Sequence, residues 1–161
     1  RSLCVYVSEI VLAIKQAMWV HGTSVQVERE GYFISKWRPA WGTVFRTQGQ
    51  EWFHFAIPTP VIFGGQDSKL QKVFVLYKTT MSAKITALHV YDGATKIQAF
   101  DNISRMGNHS SGLDGDNTWN VNLVHIKFGL GLSILVDFGQ ATLAGVPEIT
   151  FSSAGADFII S

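Results

Sequence analysis

Glu51 to Pro60 reads EWFHFAIPTP, and its interpretation decides the fold. From Trp52 to Ile57 the side chains alternate between two faces, the period of a β-strand. Trp52, His54 and Ala56 share one face; Phe53, Phe55 and Ile57 share the other. Both faces carry large groups, so both are expected to be at least partly covered. Pro58 and Pro60 cannot donate to a ladder, so they end the pairing and turn the chain, a cis bond being one route. Strand and corner account for every residue here except His54.

The same signal recurs outward in both directions. SVQVE (Ser24–Glu28) alternates and is followed by a turn at Glu30-Gly31. GYFISKW, TVFR, VIF and KLQKVFVLYKTT follow as strands, with a loop at Gly64–Asp67. KITALHVYDG and TKIQAFD read as a hairpin with Asp92-Gly93 in its turn. Asn102 to Asn117 is polar and rich in Gly, Ser, Asn and Asp, a long surface loop. WNVNLVHIKFG, LSILVDFG and ITFSSAGADFII close the chain as strands. About ten short strands separated by regular turn signals predict an all-β fold: a two-sheet antiparallel β-sandwich, jelly-roll-like. No fixed-period repeat is visible, which argues against propellers and solenoids.

Only the N-terminus competes as a helix. Val7, Ile10, Val11 and Ile14 fall at helical spacing, while Leu3, Val5 and Val7 alternate as in a strand. The reading divides the chain into an apolar extension, residues 1–16, and a single sandwich domain, residues 17–161. The chain begins with Arg1, as expected of a processed form or an incomplete reading.

Composition narrows the function classes. At 161 residues the chain fits one domain able to bury a core without staples. Only 16% of residues are charged and 12% are aromatic, so some surface is expected to be apolar and covered by a partner or a second copy. A formal net charge of +1 gives no basic footprint for nucleic acid. Cys4 is the lone cysteine, which excludes an intramolecular disulfide and any cysteine-based zinc site. The longest apolar run, Leu3 to Ile14, is interrupted by Glu9 and is too short to span a membrane. It is also a poor signal peptide, with Lys15 where small residues are wanted. A soluble protein, cytoplasmic or secreted, is expected.

Several pieces together carry a resemblance: AMWVHGTSVQVE (Ala17–Glu28), WFHFAIPTPVI (Trp52–Ile62), HVYDG (His89–Gly93) and ITFSSAGADF (Ile149–Phe158). From about Met18 onward the chain resembles an uncharacterised family of small β-rich domains of unknown function. The resemblance implies a β-rich fold and no chemistry.

Candidate sites follow from residue type. Trp37 and Trp41 flank a proline turn in WRPAWG, and rings on a loop stack on sugar faces. With Asp114 and Asp116 of the polar loop they form the expected ligand platform, carbohydrate being the first class to test. DGDNT lacks the closing acid of a calcium loop, because Val124 and His125 stand there. His21, His54, His89 and His125 lie in or beside strands, but without a His-x-His pair no metal or other cofactor is assigned. No catalytic motif is present; if the protein is an enzyme, a cofactor-free lyase, isomerase or cyclase, then His54 or His89 is its base and Asp92 the nearby carboxylate. His89 and Asp92 point to opposite faces of a strand unless the chain turns between them. Asn102 and Asn108 each begin a glycosylation acceptor pattern.

The favoured expectation is therefore a non-enzymatic module acting by binding or self-assembly. Leu3, Val5, Val7 and Ile10 are its assembly residues, pairing with a sheet edge of a neighbour to give a homo-oligomer or filament.

Overall fold

A computed structural model describes residues 13–161. Thirteen strands occur among them: β1 (Ile14–His21), β2 (Gln26–Val27), β3 (Ser35–Trp37), β4 (Thr43–Arg46), β5 (Gly49–Ile57), β6 (Ile62–Phe63), β7 (Gln66–Thr80), β8 (Lys84–Asp92), β9 (Thr95–Phe100), β10 (Asn108–His109), β11 (Thr118–His125), β12 (Leu130–Gly139) and β13 (Glu148–Ile160). They form two antiparallel sheets stacked as a sandwich, one of eight strands and one of five. The count exceeds the expected ten because β1 settles as a strand a segment that also had helical spacing, and β10 pairs two residues of the expected polar loop with β7. A two-residue ladder inside a polar loop, as in β10, holds too little alternation to be read locally.

The long partners β7 and β13 form the spine of the larger sheet, paired from Ser68↔Ile160 to Thr80↔Glu148. On the far side of β13, β4 covers the first half and β1 the second, Ile14↔Ile160 through His21↔Ser153. The assembly residues Leu3, Val5, Val7 and Ile10 lie outside the described residues. In the smaller sheet the order is β2-β5-β12-β8-β9.

The alternation of Trp52 to Ile57 is realised as read. Phe53, Phe55 and Ile57 are buried between the sheets, while Trp52 and His54 face outward and stay half-covered. Phe45, Phe53, Phe55 and Phe151 pack together, with ring centroids 4.7 Å apart for Phe45–Phe53 and 5.1 Å for Phe53–Phe151. Each buried ring contributes roughly 1.5–3 kcal/mol relative to exposure. At the corner Thr59 Oγ donates to the Ile57 carbonyl and accepts from the Leu130 amide, tying PTP to β12. The corner is made with trans bonds throughout.

Two local expectations shift. Only Gln26–Val27 of SVQVE is a strand, because Gly22–Ser24 forms a 3-10 turn whose Thr23 amide donates to the His21 ring. Gly22 presses on the Phe151 backbone, where a Cβ would stand 2.0 Å from the carbonyl oxygen. The β8–β9 hairpin turns at Gly93-Ala94, with Asp92 still paired to Thr95. No described helix is long and apolar enough to cross a membrane.

Candidate functional site

The outer face of the five-stranded sheet brings Trp52, His54, His89, Tyr91 and Ser133 into one cleft. Register places Ser133 of β12 opposite His54 of β5 on one side and His89 of β8 on the other. Adjacent strands lie about 4.8 Å apart, so the three side chains stand in a single cross-strand row. Gln26 of β2 extends it beyond His54. His54 Nδ1 lies 2.9 Å from Ser133 Oγ. His89 Nε2 lies 2.7 Å from Asp101 Oδ1, so its carboxylate partner is Asp101. Neither the second nitrogen of His54 nor that of His89 has a partner among the described residues.

Aromatic rings complete the cleft. Trp52 leans across β12 until its ring centroid is 4.9 Å from that of His89. Tyr91, two residues along β8, borders the same hollow, and Glu28 and Lys96 stand at its two sides. This cleft has a volume of about 290 Å³. A second hollow of about 450 Å³ continues from it, sharing His54, Tyr91 and Ser133 and floored by Ala56 and Gly131.

Asp92 points the other way. Its carboxylate accepts the amides of Lys127, Phe128 and Gly129 at 2.9, 2.8 and 3.2 Å, pinning the turn between β11 and β12. Burial pushes its pKa up, but the three amide donors and Lys127 outweigh this and hold it below the usual carboxylate range. It is thus a structural anchor and stands apart from His54 and His89.

The residues of the expected sugar platform lie on the larger sheet and the loops beside it, and do not share one hollow. Trp37 lies under the Arg46 guanidinium, 4.8 Å from the ring centre, and Arg46 pairs with Glu148 at 2.7 Å. Trp41 edges a hollow of about 270 Å³ with Lys78, Glu148 and Thr150. Asp114 edges another of about 430 Å³ with Lys72, Phe74 and Asp157. Asp116 pairs with Arg105.

The polar loop also contains a clasp. His109 Nδ1 is 2.7 Å from Asp114 Oδ2, and its Nε2 is 3.0 Å from the Met106 carbonyl. The hydrogen bond to Asp114 is the main cause that raises the His109 pKa, and the same bond lowers that of Asp114. Asn117, fully buried, donates to the His109 and Gly112 carbonyls and closes the loop. His109, Asp114 and Asp116 bring possible ligand atoms within 4.8 Å of one another, and all three already bond to each other or to Arg105.

Sequence reasoning singled out His54 and His89 but not Ser133, Tyr91, Lys96 or Glu28. The outward position of Ser133 was legible in the alternation of LSILVDFG. Its place between two histidines depends on strand order, which alternation does not encode.

A family described as a family of unknown function, DUF6623, matches residues 13–146, and the chain belongs to it. The matched span contains every cleft residue. No curated protein matches the chain.

Proposed function

We propose that this member of a family of unknown function is a non-enzymatic binding module for carbohydrate, and that the outer cleft of the five-stranded sheet is its ligand site. One observation carries the reading: Trp52 and Tyr91 offer ring faces beside side chains that keep hydrogen-bonding capacity for a ligand. Sugars present apolar C–H faces for stacking and hydroxyls that both donate and accept. The free nitrogens of His54 and His89, with Glu28 and Lys96, can answer both roles.

Calorimetric titration with neutral and acidic sugars tests the proposal. Binding is expected for the native protein and lost in Trp52→Ala, whose half-exposed ring can be removed while the core is kept. Native binding unaltered by Trp52→Ala overturns the site assignment.

A second reading has a specific observation behind it: both histidines face one cleft, and His54 is within hydrogen-bond reach of Ser133. A cofactor-free enzyme using His54 or His89 as general base would convert the bound sugar. Product analysis after long incubation separates the readings, since a binding module returns the ligand unchanged.

Self-association through Leu3, Val5, Val7 and Ile10 is proposed alongside ligand binding. Mass photometry of the full chain and of a chain lacking residues 1–16 tests it. Monomers in both at micromolar concentration overturn it.

A further inference from the structure

We infer that the cleft takes a chain of sugar units lying along the strands, rather than a single ring. This rests on the carbohydrate reading above and adds the size and direction of the ligand.

The shape follows from register. Central strand β12 presents Gly131, Ser133 and Leu135 outward. Row by row these face Ala56 and Tyr91, then His54 and His89, then Trp52 and Ala87. Side chains thus grow along β5 and β12, from Ala56 and Gly131 to Trp52 and Leu135, and shrink along β8 from Tyr91 to Ala87. Outward rows are two residues apart, about 6.7 Å. From the Gly131 row to Asp137, opposite Gln50, the face runs roughly 20 Å.

Hollows occur on both sides of the central row. The Gly131 hollow of about 450 Å³ merges with the histidine cleft through His54, Tyr91 and Ser133. Beyond Trp52 lies a third hollow of about 690 Å³, lined by Gln50, Ala87, Leu135 and Asp101. Asp101 also bonds His89, so one carboxylate belongs to both the central row and the third hollow. The Trp52–His89 pair lines the cleft between the outer hollows, ring centroids 4.9 Å apart. A single sugar occupies one hollow and leaves the others to water. A chain crosses the ring pair, stacks a middle unit on Trp52 and places its ends in the two outer hollows.

Gly131 offers a way to block one end. A Cβ there meets only the Tyr91 Cβ, at 3.7 Å, so a larger side chain projects into the hollow.

The test is a titration of the full chain with gluco-, xylo- and chito-oligosaccharides of one to six units. Expected is an affinity that rises about tenfold or more from one unit to four in the series that binds, equivalent to about 1.4 kcal/mol or more. Gly131→Leu is expected to flatten that rise while the melting temperature holds. Equal affinity for one unit and four, or a rise that Gly131→Leu leaves untouched, overturns the chain assignment and leaves the carbohydrate reading standing. Binding by no sugar of any length overturns both.

Discussion

The indole of Trp19 lies flat against Gly155, its register partner in β13, where a Cβ would stand 2.5 Å from the ring and 2.7 Å from the Met18 carbonyl oxygen. The absence of a side chain lets Trp19 stack on Phe74, centroids 5.3 Å apart and planes 10° from parallel. Gly155→Ala forces the ring and strand β1 outward. It is expected to cost about 1–3 kcal/mol, measured by denaturant unfolding. Combined with Trp19→Ala, the loss should be less than additive, because the ring is half of the clash.

Asp92 anchors three amides with one carboxylate, and its removal leaves them without their acceptor. Asp92→Ala is expected to destabilise by about 1–3 kcal/mol in thermal or chemical melts. The lowered pKa sets the sign of the pH effect. The contribution is complete above the unfolded value of about 3.9 and is lost as pH falls through the folded value below it. Asp92→Asn should therefore flatten the acid limb of the stability profile.

His109 meets acceptors at both ring nitrogens, so only the imidazolium satisfies both bonds. Its pKa is raised, and the clasp contributes fully below the unfolded histidine value of about 6.5. That contribution is lost as pH rises through the folded value. At the acid end it is lost again as Asp114 takes up its proton. Amide-exchange protection, taken relative to the intrinsic rate at each pH, should be greatest between these limits at Asp116 and Asn117, whose N–H groups bond the Asp114 carboxylate. NMR titration of His109 at or below the ordinary value would refute this.

Glu51 is buried at the end of β5, bonded to Arg29 at 2.9 Å and to the Trp52 amide at 2.9 Å. Arg29→Ala removes the partner of a buried charge. It is expected to destabilise more than Lys36→Ala, which breaks the pair with the exposed Glu30. Parallel melts of the two variants compare them directly.

The clean alternation of Trp52–Ile57 and of Leu130–Gly139 made the strands, their buried faces and the all-β class legible from local order alone. The prolines at 58 and 60 likewise announced the corner. Strand β10 was not legible, because the pairing of two residues inside a polar loop is imposed by β7 across the fold.

For the site, the sequence by itself determined that Trp52 and His54 share a face, since side-chain direction in a strand has a period of two residues. Tertiary structure alone decided what stands beside them. Ser133 lies 79 residues from His54 in the chain and next to it in the sheet. Asp101, rather than Asp92, meets His89, because Asp92 turns inward to the amides of residues 127–129. Strand order and register are set by packing of the buried faces and by loop closure over the whole chain, and so have no local signature.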